Sequence, residues 1–268
     1  MTHPATCLNC SSPVQSDTTV CRECGMRVYT DLRPLLERQH VDSPLAAWGP
    51  PPPGWLKAPG TLATAVVAVI GTLTAFDVVR SVSDIRDDGL LKDPATRGGV
   101  GLRQGIIDRE AIFAVGWFLL FLASAGLFIA WLYRVYRNGI RSGSALPHSE
   151  GWAIGAWFVP LMNLVRPKRI VDQAWQASDP HLVWSQPHGW EQVPRTPLIT
   201  LWWSAWIVAN LLGRVSASSA GTDADSLQSS ARLDILGNVF EILAGLLCIL
   251  VVRRLTARQE QRLAAAGV

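Results

Sequence analysis

The sequence predicts an all-α membrane protein with four transmembrane helices, an interfacial or re-entrant helical segment and a small N-terminal four-cysteine zinc ribbon. Three observations support this fold class. Of the 268 residues 49% are hydrophobic, and they are segregated into long runs. Only 17% are charged, whereas soluble domains average about a quarter. Four cysteines near the N-terminus occur as two pairs.

The N-terminal cysteines form two C-x2-C pairs separated by ten residues: Cys7, Cys10, Cys21 and Cys24. Two-residue spacing lets both thiolates of a pair bind one tetrahedral Zn²⁺, and the second pair completes a closed site. Disulfide or redox chemistry is the alternative, but the residues before these cysteines do not resemble a secretory signal. We therefore expect residues 1–27 to fold around a structural zinc ion. Cys248 lies in an apolar run, where we expect a buried side chain.

Residues 28–60 are predicted to be a linker. They contain four consecutive prolines between Gly49 and Gly54, which favour an extended, stiff spacer over a peptide-docking motif. The membrane domain is predicted over residues 61–256, followed by a cytoplasmic tail at 257–268. Four apolar runs are long enough to cross a bilayer, and they give spans at 62–79, 112–131, 197–213 and 235–252.

Basic residues predict the orientation. Arginine and lysine cluster after the second span, before the third and after the fourth, whereas acidic residues balance them in the first and third connections. Cytoplasmic loops carry the excess of basic residues. We therefore expect a multi-pass protein of the bacterial plasma membrane with both termini in the cytoplasm.

The interfacial or re-entrant segment is predicted over residues 151–176. Its first part, 151–165, is too short to span comfortably and contains Pro160 and Asn163. Basic residues on both flanks favour a segment that enters and leaves on the cytoplasmic side or lies flat there, over a short span. Pro167 fits the first turn of a following amphipathic helix. Its apolar face would hold Ile170, Val171, Ala174 and Trp175, and its polar face Arg169, Asp172, Gln173 and Gln176.

Two motifs in this region carry a family resemblance. The pattern W-x2-R-x3-N closes the second span with Trp131, Arg134 and Asn138. The pattern W-F-x-P-x2-N-x3-P follows it and contains Trp157, Pro160, Asn163, Arg166 and Pro167. Together they resemble the bacterial multispan membrane proteins of domain-of-unknown-function family 4328, over about residues 60–255. The resemblance implies a helical membrane domain and assigns no activity.

The first motif also predicts local contacts. Trp131, Arg134 and Asn138 share one helix face because they are spaced i, i+3 and i+7. We expect Arg134 and Asn163 to donate to carbonyls that Pro160 leaves free, and so to hold the broken segment in place. The alternative is a cytoplasm-facing pocket for an anionic headgroup or ligand.

Glu241 lies near the middle of the fourth apolar run. An acid at that depth must be neutral, paired or in contact with water. Asp77, Arg80 and Asn210 are the expected partners. Interhelical hydrogen bonding is favoured over a functional role, because the sequence shows no proton relay around this residue.

The sequence predicts no enzyme, because it contains no nucleophile–base pair, no P-loop and no pair of carboxylates placed for acid–base catalysis. We expect a membrane-anchored interaction or regulatory module. Its partners would be membrane lipids and a cytoplasmic protein that meets the zinc ribbon. Nucleic acid is not expected, since residues 1–27 carry only Arg22 and Arg27 as basic side chains. The alternative is a small-molecule or ion transporter, or a lipid-binding protein, that uses Glu241 and the broken segment.

Overall fold

The computed structural model describes residues 54–265, except residues 98, 185 and 220, together with the short pieces 5–6 and 13–14. The chain divides into two units, Met1–Gly49 and Pro50–Val268. In the first unit, strands β1 (Ala5–Thr6) and β2 (Pro13–Val14) pair antiparallel, with Ala5 opposite Val14. The predicted cysteine ligands and most of the predicted linker lie outside the described residues.

The described part of the second unit is helical. Its helices are α1 (Gly60–Lys92), α2 (Pro94–Arg97), α3 (Val100–Arg141), α4 (Trp152–Gly155), α5 (Arg166–Ala177), α6 (Pro197–Ser219) and α7 (Ala224–Ala265). Two 3₁₀ turns, Met162–Leu164 and Gly189–Gln192, lie in the long connection between α3 and α6.

Four of these helices, α1, α3, α6 and α7, are long and apolar enough to cross a membrane. The prediction of a multi-pass helical membrane protein is thereby confirmed in outline. The helices continue well beyond the predicted spans: α3 and α7 each have 42 residues. At 1.5 Å per residue each is about 63 Å long, roughly twice the hydrocarbon core of a bilayer. Their polar ends therefore project beyond the apolar layer.

The last turns of α7 belong to the bundle. Leu255, Gln259, Arg262 and Leu263 are buried at helical spacing. Residues 257–265, predicted as a tail, therefore continue the fourth helix because one face of it is covered by the protein.

Helix α7 packs along α1 on one side and along α6 on the other, and α1 packs against α3. Neighbouring long helices are antiparallel. The connections 93–99 and 220–223 therefore lie at one end of the bundle, and the α3–α6 connection lies at the other, which we call the α5 end. The most deeply buried large side chains, including Trp131, Tyr136, Ile170 and Leu255, gather near the α5 end.

The predicted amphipathic helix is α5, and its polar face is covered rather than solvated. Asp172 is buried and accepts a hydrogen bond from Lys168 Nζ at 2.9 Å. Gln176 is also buried and donates to the Val193 carbonyl at 2.6 Å. The expectation of a solvent-facing polar side is wrong at these two positions, and at Gln176 the cause is that the chain after α5 folds back over it.

Candidate functional site

A cavity of about 340 Å³ lies within the bundle between α1, α3, α6 and α7. Its lining residues come from the middle of the apolar runs of all four helices, so it lies at membrane depth. We call it the membrane cavity. Helices α3 and α6 both line it, and within the described residues their backbones make few close approaches although the Phe128 and Trp202 rings meet at 5.5 Å. The cavity therefore occupies the gap that these two helices leave.

Aromatic side chains form most of one wall and the α5 end of the membrane cavity. Phe128 of α3 is central, with its ring centroid 5.5 Å from Trp202 and 5.8 Å from Trp157. Trp157 comes from the broken segment, and its indole N–H donates to the Ala153 carbonyl at 3.1 Å. The full aromatic lining is Trp117, Phe121, Phe128, Trp157, Trp202 and Trp206. These six rings give the cavity a largely apolar, polarisable surface.

Two acids line the opposite end of the cavity. Asp77 on α1 and Glu241 on α7 both line this end together with the Trp117 indole, and each carboxyl interacts electrostatically with the other or with Arg80 beside them. Ionised carboxylates only accept hydrogen bonds, so two carboxyls can share a hydrogen bond only when one of them carries a proton. Glu241 therefore meets Asp77 and Arg80, two of its three expected partners.

The acid end of the cavity is not fully hydrogen-bonded. Asp77 Oδ1, Glu241 Oε2 and Trp117 Nε1 are buried atoms without a hydrogen-bond partner among the described residues. The hydroxyl of Ser124, which also lines the cavity, is likewise buried without a hydrogen-bond partner among the described residues. Asp77 is only 3% exposed and Ser124 only 6%. The cavity thus presents unused polar groups to whatever occupies it.

A second group of carboxylates lies beyond Asp77 on α1, and these are paired. Asp84 accepts from Asn238 Nδ2 at 2.8 Å, Asp87 pairs with Arg109, and Asp88 accepts from Arg232 Nε at 3.0 Å. Sequence reasoning missed Asp84 and Asp87. Their spacing of seven and ten residues from Asp77 places all three on one helix face, which is the signal that could have found them.

The first sequence motif holds the chain entering α1, not the broken segment. Asn138 Nδ2 donates to the Lys57 carbonyl at 2.8 Å and to Gln259 Oε1 at 2.9 Å. Trp131 Nε1 donates to Thr256 Oγ1 at 3.0 Å, and an Arg134 N–H reaches the Ala58 carbonyl at 3.4 Å. The expected bracing of the Pro160 region by Arg134 is therefore wrong, because the face of α3 that Arg134 shares with Asn138 points toward α7 and residues 55–58.

The second motif shapes the broken segment itself. Pro160 is exposed and precedes Leu161, whose φ of +62° closes a tight turn. The backbone N–H of Asn163 donates to the Val159 carbonyl at 3.0 Å. The Asn163 side chain is half-buried. Arg166 lies over the Trp152 ring at 4.1 Å, and Pro167 is buried in the first turn of α5. Only Trp157 of this motif reaches the membrane cavity.

The α5 end is held by polar contacts from α7 and α3. Arg262 donates to the Ala177 carbonyl at 2.8 Å, and Arg258 pairs with Asp179 and lies over Trp175. The Tyr136 hydroxyl donates to the His148 carbonyl at 3.1 Å. Partial burial lowers the pKa of His148 below its ordinary value, and Arg166 adds to this by its positive charge.

Comparison with known proteins gives one match. A family model described as a domain of unknown function (DUF4328) matches residues 106–257, which is more than half of the chain and runs from α3 into the last part of α7. No curated protein and no solved structure matches the chain. The matched stretch contains both sequence motifs and every cavity-lining residue outside α1.

Proposed function

The chain belongs to the family described as a domain of unknown function (DUF4328), and from this premise we propose that it binds a small amphipathic molecule in the membrane cavity. This is the alternative that the sequence predicts beside an interaction module. It covers a transporter and a lipid-binding protein alike, since both need an intramembrane site. The proposed activity is non-catalytic.

One observation carries the proposal: Asp77 is 3% exposed, lines an open cavity and has an oxygen without a hydrogen-bond partner. An ionised aspartate inside a membrane helix is costly, by up to about 2.5–3.5 kcal/mol at the helix centre on insertion scales, and Asp77 lies two residues before the end of the predicted span 62–79. A structural acid offsets this cost by pairing, as Asp84 does with Asn238. Acids that face a cavity inside a membrane commonly contact a substrate, an ion or a proton.

The dimensions of the cavity support the same conclusion. Ligand pockets typically hold about 300–1,000 Å³ and are lined by apolar and aromatic side chains with a few polar groups. The membrane cavity, at about 340 Å³, lies at the lower end of this range. Its polar groups are the Asp77 and Glu241 carboxyls at one end, which we call the acid pair, and the Ser124 hydroxyl on α3. An occupant would therefore be small, mostly apolar and polar at one end.

The helix arrangement supports entry from the lipid. Because α3 and α6 leave a gap beside the cavity, a molecule dissolved in the bilayer has a lateral path between them. The broken segment contributes Trp157 to the α5 end of the cavity. Its role in this proposal is to close the cavity toward that end.

Filling the cavity tests the proposal. In the full chain reconstituted in lipid nanodiscs, 4-bromobenzyl alcohol should quench tryptophan fluorescence saturably, since four tryptophans line the cavity. Ala125→Leu places added bulk in the cavity and should abolish the saturable component. Ala130→Leu makes the same change on the exposed face of α3 and should preserve it. Quenching that rises linearly and identically in all three proteins would contradict the proposal.

A second candidate function concerns the N-terminal unit, where we propose a zinc ribbon that binds a cytoplasmic protein partner. The spacing of Cys7, Cys10, Cys21 and Cys24 supports it. The antiparallel pairing of β1 with β2 adds support, because the six residues between these strands in the sequence include Cys7 and Cys10.

Metal analysis of the full chain tests this second candidate. We expect about one zinc per chain, as for a single four-cysteine site, and its loss in Cys7→Ser. Cys248→Ala is the control, since Cys248 is buried in α7, and it should retain the metal. Equal metal content in the wild type and Cys7→Ser would reject the site. Crosslinking should then capture a protein with the wild type that Cys7→Ser no longer captures.

A further inference from the structure

The acid pair of the membrane cavity lacks a dedicated positive partner. The ionisable groups acting on it are Arg80 from α1 and Asp234 from α7; α3 contributes the Trp117 indole, and α6 contributes Asn210 to the same lining. Arg80 also interacts with Asp84 and Glu110. One guanidinium is therefore shared among four carboxyl groups, and the cavity is short of positive charge.

The rest of the lining favours a particular kind of cation. Six aromatic rings surround the space, and aromatic faces attract ammonium groups by cation–π interaction. Hard metal ions take six or more oxygen ligands, water included, whereas beyond the two carboxyls the side chains of this lining offer only the oxygens of Thr74, Ser124 and Asn210. An anion would be repelled by the same two carboxyls, and a neutral apolar molecule would leave their free oxygens unpartnered.

We propose that the membrane cavity binds a lipophilic organic monocation, an amine or quaternary ammonium ion with an aryl or alkyl body, in exchange for one proton. This rests on the proposed function and names its ligand class. The ammonium group lies against Asp77 and Glu241, and the apolar body extends along Phe121, Phe128 and Trp202 toward Trp157.

The exchange follows from the geometry of the acid pair. In this proposal the empty cavity holds one proton on the acid pair, because two ionised carboxylates that line the same buried cavity would repel each other. When the cation arrives, this proton is released to water and both carboxyls become ionised. One positive charge replaces another, so the charge of the occupied cavity equals that of the empty protonated one. Binding must then weaken as the pH falls.

Two isosteric probes separate charge from shape. Benzyltrimethylammonium and neopentylbenzene have the same outline, but only the first carries a charge. Titrated against the tryptophan fluorescence of the full chain in nanodiscs, the cation should bind at least about tenfold more tightly than the neutral probe. Its dissociation constant should rise by up to about tenfold for each pH unit of acidification, the limit for release of one proton.

Matched variants locate the effect. Asp77→Asn should weaken binding of the cation by at least about tenfold and remove its pH dependence. Asp88→Asn makes the same change three turns away on the same helix, outside the cavity, at a residue that pairs with Lys92 and Arg232 and not with Arg80, and it should leave both unchanged. If Asp77→Asn does not fold, the wild type still decides: cation binding that is flat between about pH 5 and pH 8 contradicts one-proton exchange.

The outcomes distinguish this inference from the proposed function beneath it. If neopentylbenzene binds as tightly as the cation and Asp77→Asn changes neither, the cation assignment is overturned while the ligand cavity stands. If neither probe nor 4-bromobenzyl alcohol binds saturably, both are overturned. Preferential, pH-dependent cation binding that requires Asp77 supports both.

Discussion

Asn138 shows how a single buried amide can join three parts of the chain. Its side chain donates to the Lys57 carbonyl and to Gln259 Oε1, and it accepts from the Lys57 N–H at 3.2 Å. Gln259 in turn donates to the Val135 carbonyl at 2.9 Å. The start of α1, the end of α3 and the end of α7 are therefore linked through one residue that is 4% exposed.

Asn138→Ala is expected to lower the free energy of unfolding by about 2–3 kcal/mol, because it leaves buried partners unsatisfied. Asn210→Ala is the matched control. Asn210 is exposed and donates only to the Trp206 carbonyl one turn earlier, so its loss should change stability by less than about 0.5 kcal/mol. Thermal unfolding in one detergent measures both. Equal losses would show that the Asn138 network contributes nothing specific.

At the residue scale, sequence reasoning predicts which side chains share a helix face but not what that face meets. The spacing predicts one shared helix face for Trp131, Arg134 and Asn138. The partners of that face, in residues 57–58 and in α7, depend on how the helices pack. Glu241 is conspicuous as an acid in an apolar run. Asp84 escapes notice because it follows the predicted first span, although it lies on the same helix face as Asp77.

Among the elements, the broken segment stores strain at Leu161. Its φ of +62° and ψ of −38° belong to a tight γ-turn, in which the Met162 N–H donates to the Pro160 carbonyl at 2.7 Å. A leucine disfavours this backbone, whereas glycine adopts it readily. The leucine side chain is 82% exposed, so contacts within the described part of the chain do not explain its retention. A membrane-facing apolar tip formed with Phe158 would explain it.

Leu161→Gly and Leu161→Ala separate strain from lipid contact. Both remove the apolar side chain, but only glycine relieves the backbone. In detergent, the glycine variant should be more stable than the alanine variant by about 1 kcal/mol. In nanodiscs, both variants should lose fluorescence protection of Trp157 from aqueous quenchers, because the tip no longer enters the lipid. Identical melting of the two variants would mean that the turn is unstrained.

The contact between α1 and α7 depends on a close approach at Gly245. A Cβ atom there would collide with the Thr74 side chain. Thr74 is fixed by donating to the Ile70 carbonyl at 2.9 Å, so it cannot rotate away without losing that bond. Small residues allow such close packing between membrane helices.

Gly245→Ala is therefore expected to destabilise the bundle by about 1–3 kcal/mol through overpacking. Gly126→Ala on α3 is the control, because a Cβ atom there meets open space. This control should be neutral or stabilising by up to about 1 kcal/mol from helix propensity. The two variants can be compared by thermal unfolding in the same detergent. A Gly245→Ala protein as stable as Gly126→Ala would show that the helices separate at no cost.

At the element scale, the apolar runs predict the four long helices, but not how far they extend. Helix α7 continues through residues 253–265 because Leu255, Gln259 and Arg262 are buried against α3 and the chain after α5. The polar face of α5 is covered for the same reason. Periodicity within one element does not reveal a neighbour that comes from a distant part of the chain.

For the molecule as a whole, polar groups are divided between its two ends. The α5 end holds hydrogen bonds and aromatic–arginine contacts, such as Arg262 with the Ala177 carbonyl and Arg166 over Trp152. The opposite end holds the acid-rich face of α1. The membrane cavity lies between them, and its two acids are among the buried groups that have an atom without a hydrogen-bond partner in the described part of the chain. This division explains why sequence motifs identify the α5 end while the candidate site lies elsewhere.

The division also gives a prediction for membrane orientation. The α5 end carries the arginines in the last turns of α3 and α7 and those that begin α5, so we expect it to face the cytoplasm. Cysteine placed at Ser149, in the exposed part of the α3–α6 connection, should resist a membrane-impermeant maleimide in intact cells. Cysteine placed at the exposed Thr222, in the α6–α7 connection, should react.

Peptide-level mass analysis separates these sites from the native cysteines, and lysed cells control for burial. Reaction of both positions from outside would mean that an even number of segments crosses between them, in conflict with α6 as the one crossing helix. Reaction at Ser149 alone would invert the orientation and place the acid-rich end in the cytoplasm.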